Sequence, residues 1–534
     1  MSFAPSVDKL ERLGCRLESV LTKRPWVSVF LLSSVFLLCA SMKACRGMFW
    51  FDEVLTFYLA ALPNFRVLWR ALTAHAESGS PVFHLITKLS ADMFGWTTFG
   101  LRVPAIVGYL TMMLCVYFIV RRYAGSLYAA IGALSGFLTF APFYATEARP
   151  YGLLLGLSGI ALVCWQQASG HFRWLAILGL FLSLVAAVSL HYYAVLSLAA
   201  IGFGELVHAW RRRRLDWSVC GALAFATTPL FLFLPLIRAN TILAQSGYAP
   251  VTLSYSVHNT EVFYLPVNGV LWTPFVVVAG ICILVFGQRE AHPLATFEVP
   301  PVHELAAWSA LLLAPVEVFI TGRLVTGVFD SRYGIVSIIG FSILLPLCLQ
   351  RLFRGSRAAA LAELLVLILC LGIWYVRHMG PQRWAEDLNA SLVSWVRTSK
   401  TSRLPIVVAN PTMFLPLAQG GAKELRDVVV YTPDGHAASQ YISVTTADYN
   451  LEGLRGVTPL NMPTFAGFAS SHQRFLVLSD NSPLDWIVPK LLSMGAELRL
   501  CAVFDSNSLL LVGLPETTAP AGSTRLPVGL ACMP

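Results

Sequence analysis

Between residues 26 and 376 the chain is largely built from apolar runs long enough to cross a bilayer, and no other feature restricts its fold so strongly. A helix needs about 20 apolar residues to traverse the hydrocarbon core, where every backbone N–H and C=O must be satisfied internally. Such runs fall at approximately 26–44, 101–120, 126–143, 150–168, 173–190, 192–210, 217–236, 268–287, 303–321, 333–350 and 357–376. The reading is an α-helical polytopic membrane protein with about eleven transmembrane helices.

The basic residues give the runs an orientation. Lys9, Arg12, Arg16, Lys23 and Arg24 precede the first run, and Arg121–Arg122, His171 with Arg173, Arg211–Arg214, Arg289, and Arg351, Arg354 and Arg357 follow every second run. Cytoplasmic loops carry the excess of Lys and Arg. The pattern predicts a cytoplasmic N-terminus (1–25), a membrane domain with extracytoplasmic loops (26–380) and a soluble extracytoplasmic domain (381–534). The net charge of +9 is then topological, and a nucleic-acid partner is not expected. Only 13% of residues are charged, against about 25% in soluble domains. The basic stretch 1–24 is long and the run Trp26–Ala40 lacks a small-residue cleavage site, so it reads as a retained first helix. The 11 cysteines show no metal spacing. Cys115, Cys164, Cys282 and Cys370 read as small buried hydrophobes. Cys45, Cys501 and Cys532 are expected outside, with pairing left open.

The tail changes character. Trp384, Leu388, Leu392 and Trp395 recur at helical spacing. Short β-rich runs follow at Ile406–Ala409, Val428–Tyr431, Phe475–Ser479 and Ser508–Val512, which predicts a small C-terminal α/β domain. No glycine-rich phosphate loop stands at a strand–helix junction.

The outer loops hold the candidate chemistry. Asp52 and Glu53 lie just past the first run. Two adjacent acids in a partly desolvated pocket raise each other's cost of ionisation, which poises one as a general base or recruits a metal; a polar flank ending a membrane helix is the plain alternative. Glu147-Ala148-Arg149-Pro150-Tyr151 lies between the third and fourth runs, where charges must face protein or water rather than lipid; a loop salt bridge would also account for it. Asp330-Ser331-Arg332-Tyr333 offers an arginine fork and a phenol to a phosphate oxygen, or else an interfacial anchor. His75, Glu77, His84, His191 and His258 complete the outer face, but at no spacing diagnostic of a metal.

In order, Phe51-Asp52-Glu53, Ser80-Pro81, Leu101-Arg102-Val103-Pro104, Glu147-Ala148-Arg149-Pro150-Tyr151-Gly152 and Arg332-Tyr333 resemble the bacterial integral-membrane glycosyltransferases of the C-type superfamily, relatives of the protein O-mannosyltransferases and of the aminoarabinose transferase of lipid A. The resemblance covers about residues 26–350. It implies that Asp52 is the catalytic base, with Glu53 its acidic neighbour. It also implies that Glu147, Arg149 and Tyr151 belong to the active site and that Arg332 and Tyr333 lie near the donor phosphate. His191 and Glu77 are the further candidates for substrate binding. Many relatives carry an acid followed by Pro-Pro-Leu-Tyr-Tyr in the first loop; here Glu77 matches the acid, but Ser80-Pro81-Val82-Phe83-His84 departs from the rest.

The expected activity follows from both readings. A site facing away from the cytoplasm has no nucleotide sugar, so a polyprenyl-phosphate-linked sugar is the natural donor. The acceptor would be a hydroxyl of a glycan, a lipid or a protein, and direct displacement predicts inversion. Membrane lipid is the other expected partner, a divalent metal is a possible cofactor, and the bacterial inner membrane is the expected location. The competing class is a transporter or lipid flippase, with the same charges lining a path.

Overall fold

The computed structural model describes residues 4–46, 48–247, 249–265, 272–286, 299–378, 383–398 and 404–515. The chain is mostly helical, with one small sheet. Among the described residues, four helices are long and apolar enough to cross a membrane: Pro25–Ala44, Thr98–Ala124, Arg173–Leu190 and Tyr192–Arg212. Two bent pairs of shorter helices raise the number to six if each pair is one span. Ser126–Leu138, Tyr151–Gln167, Trp272–Phe286 and Ser337–Leu352 are apolar but shorter. The uninterrupted spans are thus fewer than the eleven expected. Proline interrupts two of the expected runs, because it removes a backbone donor and clashes with the preceding turn. The run expected at 126–143 is α-helical only to Ser135 and then passes into 3₁₀ turns at Gly136–Leu138 and Ala141–Thr146, the second starting at Ala141-Pro142. The run at 303–321 bends by 55° between Leu312 and Ala314, with Pro315 opening its second half. Residues 266–271, at the start of the run expected at 268–287, lie outside the described residues.

Two compact units divide the chain. The first comprises Met1–Arg46, Leu85–Leu234 and Pro250–Gly380. Its tightest helix crossing is made by small residues. A β-carbon on Gly108 would lie 2.3 Å from Leu153 Cα, one on Gly152 2.4 Å from Ala105 O, and one on Gly156 2.5 Å from Gly108 O. Helices Thr98–Ala124 and Tyr151–Gln167 therefore touch backbone to backbone, the arrangement that small residues permit where lipid supplies no hydrophobic drive. Tyr151, the first residue of the second helix, is fixed by that contact through Gly152.

Helix Ala4–Lys23 caps this unit. Two of its three acids, Glu11 and Glu18, stand seven residues apart, on one helical face. Glu11 accepts from Arg357 N and Ala358 N, both at 2.9 Å, and from the Ser356 hydroxyl at 2.7 Å. Glu18 accepts from Ser126 N at 2.6 Å and Leu127 N at 2.9 Å. Each carboxylate thus satisfies the orphan donors at the start of another helix.

The second unit comprises Gly47–His84, Pro235–Ala249 and Pro381–Pro534. Its sheet has the order β2-β1-β3-β5-β4, with β1 Ile406–Val408, β2 Val429–Val430, β3 Arg474–Ser479, β4 Glu497–Phe504 and β5 Asn507–Gly513. β1 pairs in parallel with β2 and β3, while β3, β5 and β4 are antiparallel. Phe475, Val477 and Val407 bury against Trp486, Ile487 and Phe468. Helix Arg383–Thr398 matches the helical spacing of the tail's first residues and buries Leu388 and Leu392. β4 is an edge strand whose pattern does not alternate; its register slips between Leu500 and Ala502, and Leu500 and Val503 are exposed. Cys501, at that slip, is disulfide-bonded, whereas Cys45 is free and Cys532 lies outside the described residues.

Candidate functional site

In the first unit, two segments far apart in sequence meet. The chain leaves the 3₁₀ turn Ala141–Thr146, passes Glu147 and enters helix Tyr151–Gln167 behind Pro150, which suits a helix start. Glu147 and Arg149 are buried, at 3% and 7% exposure, and Arg149 N donates to Glu147 O at 2.8 Å. The second segment is the 3₁₀ turn Ser331–Gly334. Asp330 caps it, accepting from Arg332 N at 3.0 Å, and its other oxygen lies 3.0 Å from Arg332 Nε. The Arg332 guanidinium carbon sits 6.0 Å from the Tyr151 ring centre and 5.9 Å from that of Tyr333. Such cation–π contacts gain strength when desolvated.

An aromatic wall extends this meeting point. Tyr144 packs on Tyr151 at 4.8 Å, and its phenol lies within electrostatic reach of Arg332, Asp330 and Glu147. His191 stands 5.3 Å from Tyr151 and 5.8 Å from Tyr333, while Tyr193 stacks on Tyr333 at 4.7 Å with the planes 9° apart. Tyr193 also hydrogen-bonds Thr326 at 3.0 Å. Thr326 ends a π-helical turn, Gly322–Thr326, a rare geometry that recurs at functional sites. Asn259 accepts from Ser331 N at 2.8 Å, so the helix Leu253–Tyr264 contributes Asn259 here, while the neighbouring His258 is exposed.

Of the expected residues, Glu147, Arg149, Tyr151, His191, Arg332 and Tyr333 therefore belong to one unit, with Tyr151, His191, Arg332 and Tyr333 in direct ring or cation contact. Tyr193, next but one to His191 at the outer end of its run, joins them, whereas spacing does not single out Tyr144, Asn259 and Thr326. The available signal was position alone: Tyr144 precedes Glu147. Arg102 has a different task. Buried in helix Thr98–Ala124, it donates to Ala44 O at 3.0 Å and so ties down the C-terminal end of helix Pro25–Ala44.

Asp52, Glu53 and Glu77 belong to the second unit. Asp52 and Glu53 occupy the first turn of helix Phe51–Ala60, where carboxylates interact favourably with the positive end of the helix. Glu53 is fully buried and Asp52 half-buried. Helix Phe51–Ala60 packs on helix Pro411–Gly420 of the tail, where a β-carbon on Gly420 would meet the Met48 methyl at 2.2 Å. Glu77 and His84 form a buried pair, with His84 Nε2 3.1 Å from Glu77 Oε2. As a metal site this pair supplies two donors; among the described residues no group of three or more His, Cys, Asp or Glu is placed to hold an ion.

Several solved structures are similar to this chain. They include ArnT from Cupriavidus metallidurans, at 15% identity and a TM-score of 0.46 over 94% of this chain and 100% of that one. The same protein bound to undecaprenyl phosphate matches at 16% and 0.46, covering 93% and 99%. The Archaeoglobus fulgidus oligosaccharyltransferase, in complex with Zn and sulfate, matches at 12% and 0.44, covering 83% and 67%. No family model and no curated protein matches the chain.

Proposed function

We propose that the protein is an integral-membrane glycosyltransferase that moves a sugar from a polyprenyl-phosphate donor to an acceptor hydroxyl on the extracytoplasmic face. The observation that carries the reading is the placement of Arg332. It is a partly buried, permanently charged fork with the rings of Tyr151 and Tyr333 within 6.0 Å and Asp330 paired to it at 3.0 Å. A planar, weakly hydrated guanidinium in such surroundings suits a phosphate oxygen better than an ammonium does.

In the proposed reaction the acceptor O–H gives its proton to the Asp52 carboxylate, a general-base role. The acceptor oxygen forms a bond to the anomeric carbon as the bond from that carbon to the phosphate oxygen breaks. Polyprenyl phosphate leaves with the electron pair, its added charge met by Arg332 and Arg149. Displacement from the opposite side inverts the anomeric centre.

A second reading, a transporter or flippase, is favoured by the two bent helix pairs, because broken helices are common in transporters. One experiment separates the two. Purified protein is incubated with labelled polyprenyl-phosphate sugars and a membrane extract, and label is sought on an acceptor. Transfer by the wild type, lost by at least about a hundredfold in Asp52→Asn, supports the enzyme with Asp52 as base. Undiminished transfer by that variant removes Asp52 from the role, and lipid translocation in proteoliposomes without any transfer favours the second reading.

A further inference from the structure

The C-terminal domain has no part in the reaction above, yet its contacts within the second unit lead to Glu77. The segment 74–80 joins helix Phe65–Thr73 to helix Pro81–Phe94 and carries Glu77. It begins in an uncommon conformation, with His75 in the left-handed region at φ 69°. Helix Thr446–Leu454 of the tail lies against it: Asn450 Nδ2 donates to His75 O at 2.8 Å. One turn later, a β-carbon on Gly453 would meet Ala76 N at 2.3 Å and Ala74 O at 2.5 Å, so the helix rests on the bare backbone of the segment.

A second amide holds the other side. Asn240 Nδ2 donates to Ser78 O at 3.0 Å. Asn240 belongs to Pro235–Ala249, whose far end returns to the same tail helix: Thr445 N donates to Ser246 O at 3.0 Å, and the Ser246 and Thr446 hydroxyls are hydrogen-bonded. The contacts close a ring that starts and finishes on helix Thr446–Leu454. Within it, the carbonyls of residues 75 and 78 are each held by an asparagine, and Glu77 lies between them. Glu77 is buried and paired with His84.

We propose that the C-terminal domain is a positioning element of the transferase, with Asn450 and Asn240 as positioning residues that act through Glu77. The inference rests on the proposed transferase activity and on the expectation that Glu77 binds substrate. A carboxylate set by two hydrogen bonds to its own backbone neighbours keeps one geometry, and small misplacements at a reacting centre cost large factors in rate.

The test uses the full-length protein in detergent or nanodiscs. Asn450→Ala, Asn450→Asp (which sets an acceptor against the His75 carbonyl), Asn240→Ala and Glu77→Gln are compared singly, and each asparagine variant is also combined with Glu77→Gln. Each asparagine variant is expected to lower kcat about tenfold, the equivalent of one modest hydrogen bond, with donor KM and melting midpoint unchanged. In the Glu77→Gln background the same substitutions should change kcat less than about twofold, because residues acting through one group are not additive. Hydrogen exchange across 74–84 should quicken in all three asparagine variants. Full activity in them, or the same tenfold loss without Glu77, overturns the proposal. If the wild type transfers no sugar, the enzymatic reading fails, and hydrogen exchange still decides the clamp: unchanged exchange across 74–84 overturns it.

Discussion

Arg332 shows how little of a site's specificity is carried by charge alone. Asp330 forms an ion pair with it, Oδ2 lying 3.0 Å from Nε, and the rings of Tyr151 and Tyr333 lie within 6.0 Å of the guanidinium carbon. Arg332→Lys keeps the charge but loses both the fork and the planar face. It is expected to raise the KM for a polyprenyl-phosphate sugar about tenfold or more, the worth of one charge-assisted hydrogen bond, as steady-state kinetics would show. Asp448, in the second unit, offers a test by pH. It accepts from the Tyr431 hydroxyl at 2.5 Å and the Trp486 indole at 2.8 Å, and burial pushes its carboxyl up to about 7. The unfolded chain loses that proton near pH 4, so between about 4 and 7 the folded state holds one proton more. Its contribution to stability is therefore full below about 4, falls as pH rises, and levels off above about 7. Burial pushes Asp485 upward as well, so the comparison is with Asp448→Asn. The wild-type unfolding midpoint, followed by Trp486 fluorescence, should drop from pH 5 to pH 8 by more than that of the variant. Equal drops would remove Asp448 as the cause.

Helices in this chain are held by what meets their backbones. Gly156 faces Gly108 O so closely that Gly156→Leu must part helices Thr98–Ala124 and Tyr151–Gln167, at a cost on the order of 1–3 kcal/mol. A lowered melting midpoint and lost transfer are expected together, because Tyr151 rides on the same helix. Glu11→Ala removes the cap of helix Arg357–His378 and should cost about 1 kcal/mol, visible as a lowered melting midpoint with the site chemistry intact. These devices also explain what the sequence made legible. Hydropathy locates Pro25–Ala44 and Thr98–Ala124 well because composition along them is uniform. It does not show the breaks within 126–143 and 303–321, because a sum over a window hides Pro142 and Pro315. β1 and β3 are legible as continuous buried runs, whereas β4, an exposed edge with a register slip, has no alternation to read. At the site, acids and arginines stand out in an apolar chain. Tyr144 does not, since tyrosines near membrane edges are ordinary. Nor does spacing reveal that Asn450 reaches His75 across 375 positions.

For the molecule as a whole, the reaction proposed depends on which side of the membrane the two ends of the helices face. The basic clusters at Arg121–Arg122 and Arg211–Arg214 stand at the C-terminal ends of helices Thr98–Ala124 and Val195–Arg212. The Glu147 and Arg332 segments stand at the start of helices Tyr151–Gln167 and Ser337–Leu352. If the positive-inside rule holds here, the basic ends are cytosolic and the acidic and aromatic ones are not. Cysteine labelling tests this directly in a parent protein whose exposed free Cys45 and Cys348 are replaced by serine. Gln440→Cys, exposed on the second unit, should react with a membrane-impermeant maleimide in intact cells. Arg214→Cys, also exposed, should react only after the membrane is opened. The reverse pattern would put Asp52 and Arg332 where nucleotide sugars are made. A polyprenyl carrier would then be unnecessary, because its use is to bring an activated sugar to a face that soluble donors do not reach.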